Sequence, residues 1–351
     1  MIKVKNINHG LKIPNSSKRY GYLYELCFTK ENLYSAFLDA RKGKRNKIGT
    51  YLFELNLGEN LDLLYIELKE YSYITKPYKE FLVYEPKKRV IQAPHFRDLV
   101  VQHAIYRTIY NIFNNSFIDT SYACRKNGGT HKASEYTQRE MNKYDSDKYF
   151  VKLDIRKFFY SIDRDILRKL FEKKIKDKKF VNIMMMFADA GISKKGIPIG
   201  NLLSQLYSLV YMNEVDNYVK RVLKIESYVR YVDDFVLIGL TLEEAKSAKQ
   251  KCEKFVQDKL NLELSHWHIQ KIKRGINFVG YRTWRGKRFV RKHSLYKFKK
   301  AVLKSKVDSI VSIIGHAKGT NSLRYFKKIL QRYMPNYTEV IPVKVLKCLN
   351  I

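Results

Sequence analysis

The chain has 351 residues, 45% of them hydrophobic and 14% aromatic, and carries 68 Lys and Arg against 34 Asp and Glu, a net charge of +34. That apolar content excludes disorder as the main state, and the length is enough for about two or three modules with a sizeable core. Positive charge spread from end to end calls for a large polyanionic partner, nucleic acid first, and 27 Tyr and 19 Phe supply more stacking-capable surface than a basic tail needs.

No run approaches the roughly 18 consecutive apolar residues of a membrane span, and the start, Met1-Ile-Lys-Val-Lys-Asn6, lacks the apolar stretch of a secretory signal. A cytoplasmic protein with no membrane partner is expected. Cys27, Cys124, Cys252 and Cys348 are far apart, form no C-x-x-C pair and read as reduced, mostly packed thiols.

Residues 1–75 mix Lys, Tyr and Leu, with helices expected over 32–41 and 60–71 and a basic turn over 43–49. Short strands at 81–84 and 90–91 flank the turn Glu85-Pro86-Lys87-Lys88-Arg89, and the spacing of Leu99, Val100, His103, Ala104, Arg107 and Ile109 predicts a helix to about residue 113. Residues 149–154 read as a strand, Asp163 or Asp165 as the cap of a charged helix, and 181–189 as another helix with Met184, Met185 and Met186 in its core. A loop over 191–200 leads into a long helix over 201–222. The strongest hairpin signal is 227–238, apolar strands on either side of Val232-Asp233-Asp234. A helix over 242–260, a β-rich stretch through 276–281 and some 60 basic helical residues complete the chain.

Two adjacent acids between apolar strands are an expensive choice in so basic a chain. Like charges at a partly desolvated site repel and take up protons unless a divalent cation holds them ionised. Asp154 ends another apolar strand, and one sheet can bring it beside the hairpin tip. Three oxygen-donor carboxylates suit Mg²⁺, with two ions in a site that extends a 3′-hydroxyl and Mn²⁺ as a substitute. An isolated Asp-Asp pair is also an ordinary turn former, so the context decides.

That context is Tyr231-Val232-Asp233-Asp234, which resembles the palm motif C of the reverse transcriptases, and Val151-Lys-Leu-Asp154-Ile-Arg-Lys-Phe-Phe159-Tyr-Ser-Ile-Asp163, which resembles their motif A. In the family's order follow likenesses of Arg89-Val-Ile-Gln-Ala-Pro94-His-Phe-Arg97-Asp98 to the first fingers block and of Ser121-Tyr-Ala-Cys-Arg125 with Gly128-Gly129-Thr-His131 to the second. Gly196-Ile-Pro198-Ile199-Gly200-Asn-Leu-Leu-Ser204-Gln205 is similar to motif B, and Gly275-Ile-Asn-Phe278-Val279-Gly280-Tyr281 to the primer grip. Ile199-Gly200 ahead of Ser204-Gln205, where most members carry Gln-Gly-x-x-x-Ser-Pro, is the pattern of the diversity-generating retroelement enzymes. The length agrees, leaving no room for the maturase and endonuclease domains of group II intron proteins. Compact antiphage-defence and retron-like enzymes are the nearest alternative.

The resemblance implies an α+β right-hand polymerase: an N-terminal extension at 1–75, fingers at 76–150, a palm with an interleaved fingers segment and primer grip at 151–285, and a helical thumb at 286–351. It implies metal binding by Asp154, Asp233, Asp234 and the backbone at Ile155. Lys87, Lys88 or Arg89 would meet the triphosphate, Phe159 would act as steric gate against the 2′-hydroxyl, and Ile199 with Gly200 would line the nucleotide site. Ile199, in place of a hydrogen-bonding Gln, implies low fidelity, directed at template adenines by the subgroup likeness. Phe278, Val279, Gly280 and Tyr281 would grip the primer, with Arg125, Lys297 and Lys300 on nucleic-acid backbone. Expected partners are a template RNA, its cDNA duplex, deoxynucleoside triphosphates and a small oligomeric accessory protein. His266 and His268 invite a metal reading that no further ligand completes, and His268 or Lys271 is a candidate acid toward pyrophosphate. An idle RNA-binding protein of the same fold and a metal-dependent nuclease are the readings from other classes.

Overall fold

The computed structural model describes residues 19–84, 88–189 and 195–349. Lys87 lies outside the described residues. Nine strands are seen there: β1 (Lys79–Val83), β2 (Arg89–Ala93), β3 (Tyr149–Ile155), β4 (Tyr228–Tyr231), β5 (Asp234–Leu240), β6 (Leu264–Lys271), β7 (Ile276–Phe278), β8 (Tyr281–Trp284) and β9 (Lys287–Val290). They form a two-stranded ribbon β1-β2, a central sheet ordered β4-β5-β3-β6 and a small sheet β7-β8-β9, with antiparallel pairing in all three. The architecture is α+β, as expected.

Strands β3, β4 and β5 of the central sheet pack on both faces, and their alternation separates the two. Val151, Leu153, Ile155, Phe235 and Leu237 join the main core, with the helices Leu202–Asn217 and Leu242–Leu260. Phe150, Val229, Val236 and Ile238 join a second cluster under the helix Thr130–Asn142. Counting along β3 and β5 in steps of two puts Lys152, Asp154 and Asp234 on this second face, at the end where its apolar run stops. A third core belongs to the C-terminal helices Lys292–Leu303, Val307–Ala317 and Ser322–Tyr333, where the rings of Phe298 and Phe326 stack with centroids 3.9 Å apart.

Several elements differ from expectation. The expected basic turn at 43–49 runs into a helix, Ile48–Leu55, because Gly49 is accommodated in its first turn. The long helix ends at Asn217 and passes into a single π turn, Tyr218–Val222. The helix Leu242–Leu260 keeps its expected bounds, fixed by a reciprocal cap between Thr241 and Glu244. Asp163, rather than Asp165, caps the helix Arg164–Glu172. Among the described residues no helix is long and apolar enough to cross a membrane, and the four cysteines are free thiols, of which Cys124 is exposed.

Candidate active site

The β4–β5 connection is a two-residue turn, Val232-Asp233, because Tyr231 pairs directly with Asp234. Asp234 is therefore the first residue of β5 and not part of the tip. Val232 sits at φ 57°, a left-handed conformation that a β-branched side chain adopts at a cost of about 1–3 kcal/mol. β3 pairs with β5 so that Asp154 lies directly opposite Asp234, and the amide of Ile155 donates to the Asp233 carbonyl at 3.3 Å. Register and turn together gather Asp154, Asp233 and Asp234 at one end of the sheet.

Their side chains do not form one equivalent set. Lys152, two residues before Asp154 on the same face, places Nζ 3.0 Å from Asp234 Oδ2, while Asp234 Oδ1 is buried without a hydrogen-bond partner. Burial pushes the Asp234 carboxyl up to about 7 against the pull of Lys152, with Asp154 and Asp233 pushing the same way. Burial, then the neighbouring Asp154, pushes Asp233 up to about 6, and Arg89 and Arg230 pull it down. Among the described residues no three His, Cys, Asp or Glu side chains stand together as a ready metal cage. Asp234 is paired with Lys152, and the three carboxyls stay close enough to repel one another, Asp154 raising both Asp233 and Asp234. That donor set still suits Mg²⁺, which characteristically takes one or two carboxylates and fills its other positions with water and substrate phosphates.

Beneath the turn lies a network that the sequence did not disclose. Arg230 and Asp216 are fully buried and paired, Nε to Oδ1 at 2.7 Å and Nη2 to Oδ2 at 2.5 Å. Tyr228 donates its hydroxyl to Asp216 Oδ1 at 2.7 Å, and Arg230 Nη1 donates to the Val232 carbonyl at 2.8 Å. Breaking such a pair from one side costs on the order of 3–5 kcal/mol.

Around the acids the expected nucleotide-site residues are placed as follows. Arg89 is exposed at the start of β2, and its charge is felt at Asp233; Lys88 is exposed beside it. Phe159 is half-buried against Phe158, and its carbonyl accepts from the Ile197 amide at 2.8 Å, tying motif A to the motif B loop. The Ile199 carbonyl accepts from the Gln92 amide at 2.7 Å. Gly200, at φ +106°, lies under the ribbon, where a Cβ would come 2.7 Å from Ile91 Cγ2. Its lack of a side chain thus serves the seating of β2.

The remaining expected residues lie further out. Val279 and Gly280, at φ 44° and 93°, form the tight turn between β7 and β8, whereas Phe278 and Tyr281 are buried. Tyr281 stacks on His316 and donates its hydroxyl to the His316 carbonyl at 2.7 Å, so it joins the small sheet to the C-terminal helices and presents no face to a primer. Arg125 is occupied with Asn114, Ile118 and Ser121, bracing its own loop. Lys297 and Lys300 are exposed on one face of the helix Lys292–Leu303. Lys271 pairs with Asp147 at 3.1 Å beside Tyr149, five residues and about 17 Å along the strand from Asp154, which takes it out of reach of the acids. His266 and His268 are exposed on β6, with His268 opposite Lys152.

Comparison with known proteins follows the same lines. The family model described as reverse transcriptase (RNA-dependent DNA polymerase) matches residues 75–283. The group II intron-encoded protein LtrA of Lactococcus lactis is 24% identical over 67% of this chain and 50% of its own length, and YkfC of Escherichia coli is 24% identical over 70% and 75% respectively. The chain thus spans half of LtrA. The apo telomerase of Candida tropicalis aligns at a TM-score of 0.49 and 12% identity, over 79% of this chain and 62% of that one. With the matched span running from the ribbon through β3 and the acidic hairpin to β8, the chain belongs to the reverse transcriptase family.

Proposed function

We propose that the chain is an RNA-templated DNA polymerase, with the acids at the β3–β5 end as its reaction centre. The observation that carries this reading is the placing of Asp154 opposite Asp234 with Asp233 on the adjoining turn, in surroundings that push two of the three carboxyls toward neutrality. A divalent cation bound there would hold such groups ionised, their protons leaving to solvent. Reverse transcriptases work with divalent metal ions. Here Asp154, Asp233 and the backbone carbonyl of Ile155 would hold them, with Asp234, beside Lys152, completing the acidic cluster. When bound, the ions lower the pKa of the primer 3′-hydroxyl and offset charge on the triphosphate.

In this reading the primer 3′-oxygen attacks the α-phosphorus, a P–O bond forms, the bond to the β-phosphate breaks, and pyrophosphate leaves. Arg89 meets the triphosphate, with Lys88 beside it. Phe159 crowds the 2′ position of the incoming sugar. The ribbon β1-β2 and the segments 76–150 act as fingers, 151–285 as palm, 286–351 as thumb with Lys297 and Lys300 on the template–primer backbone, and 1–75 as an N-terminal extension. The finer reading is that of a diversity-generating retroelement enzyme copying a template RNA with errors at adenines beside a small oligomeric accessory protein; Ile199-Gly200 and Ser204-Gln205 support it. A group II intron-type role is the second reading, favoured by the likeness to LtrA.

The test is deoxynucleotide incorporation on a primed RNA template. Wild type is expected to extend the primer and Asp233→Asn to fail; cleavage of labelled RNA without nucleotides, or no extension by wild type, would overturn the reading. Sequencing the cDNA then separates the finer readings, since errors gathered at template adenines favour the retroelement role and uniform accuracy removes it.

A further inference from the structure

We propose that Arg230, braced by Asp216, is the positioning residue that holds Asp233 in register with the reacting atoms. The inference rests on the polymerase reading of the acidic turn and adds a residue that never touches substrate. Asp233 is fixed in sequence to Val232, whose backbone is the left-handed member of the turn. A valine does not keep that conformation unaided. Arg230 grips its backbone, through Nη1 to the Val232 carbonyl at 2.8 Å.

The guanidinium is itself immobile. Nε and Nη2 are both spent on Asp216, which also accepts from Tyr228. The Arg230 amide donates to the Thr120 carbonyl at 3.0 Å, and its carbonyl accepts from the Tyr122 amide at 3.1 Å. Asp216 stands near the C-terminal end of the helix Leu202–Asn217, whose first residue follows the Gly200-Asn201 corner. One buried fork therefore joins three pieces: the helix leading from the nucleotide-site loop, the 120–122 segment and the turn that carries Asp233.

A buried ion pair is a poor choice for stability alone, because well-packed apolar residues of similar volume serve as well or better. Its directional value lies in the fork: three separated donors in a fixed plane reach two carboxylate oxygens and a backbone carbonyl at once. A lysine ammonium offers a single nitrogen and cannot span them.

The experiment is single-nucleotide incorporation on a primed RNA template by wild type, Arg230→Lys, Val232→Gly, the double variant and Tyr228→Phe, with thermal melts of each. Arg230→Lys keeps a cation beside Asp216 and is expected to lower kcat by about 30-fold or more while the nucleotide KM stays within about threefold, the signature of a misplaced reacting group. Glycine adopts the left-handed conformation freely, so in the Val232→Gly background the lysine change is expected to cost no more than about fivefold. Loss of core stability would show no such rescue. Should Arg230→Lys fail to fold, Tyr228→Phe decides, since it removes one hydrogen bond and leaves the ion pair; a kcat lowered about two- to fivefold at unchanged KM is expected. A folded Arg230→Lys with kcat within about twofold of wild type, an equal loss in both backgrounds, or an unchanged Tyr228→Phe where the lysine variant does not fold would each overturn the proposal. A wild type that incorporates nothing fails the polymerase reading itself, a result distinct from all three.

Discussion

Asp234→Asn should stabilise the metal-free protein at alkaline pH while abolishing polymerisation. The Asp234 carboxyl is raised from an ordinary 3.8 to about 7 by burial, against the pull of its ion-pair partner Lys152. A raised folded-state value means that stability is fully present below about 3.8 and is lost as the pH climbs through 7, because the unfolded chain releases the proton first. Each pH unit in that interval is worth about 1.4 kcal/mol, so at pH 8 the ionised carboxylate costs on the order of 4 kcal/mol. With 22% of the side chain still meeting solvent, solvent screening brings a working figure to roughly 2–3 kcal/mol. Asparagine has the shape without the charge. In EDTA the variant should melt about 5 °C above wild type at pH 8 and within about 1 °C of it at pH 4. Thermal melts by circular dichroism across that range are the assay. A variant that is no more stable at pH 8, or whose advantage persists undiminished at pH 4, would refute the account of the site's electrostatics.

Phe159→Ala should raise ribonucleotide use relative to deoxynucleotide by about 10- to 100-fold, read from kcat/KM for matched pairs of triphosphates; unchanged selectivity would take Phe159 off the 2′ position. Ile199→Gln puts a hydrogen-bonding group at the position proposed to line the nucleotide site and should lower the misincorporation rate by about tenfold, read by sequencing cDNA from a template containing all four bases. Gly200→Ala combines a conformation at φ +106° with a contact of 2.7 Å to Ile91 Cγ2, and should cost about 1–3 kcal/mol in urea melts while loosening the ribbon.

The three acids were legible because each lies in a local string whose apolar alternation marks a strand end. The pairing of Asp234 with Lys152 was not, because it depends on one of 68 basic residues and on a register that places Asp234 inside β5. A basic residue two positions before an acid on a buried strand was the available signal, since both share a face. Arg230 and Asp216 were invisible for a different reason: they are 14 residues apart on a strand and a helix, and only packing brings them together. A charged residue in the apolar run Tyr228-Val229-Arg230-Tyr231 was the hint, and it was absorbed into the hairpin reading. Tyr281 shows the reverse error, a motif position whose side chain the tertiary packing turns inward toward His316. The helix Ile48–Leu55 went unread because Gly49 and the preceding lysines imitate a turn.

The hydrogen bond from the Gln92 amide to the Ile199 carbonyl makes the ribbon β1-β2 and the loop ahead of the helix Leu202–Asn217 a single mechanical part. A displacement of the ribbon would therefore be felt at Ile199, the position proposed to line the nucleotide site. On the proposed reading, substitution far out on the exposed strands, at Phe81 or Val90 for instance, is expected to reach copying accuracy through this bond and leave the carboxylates themselves untouched.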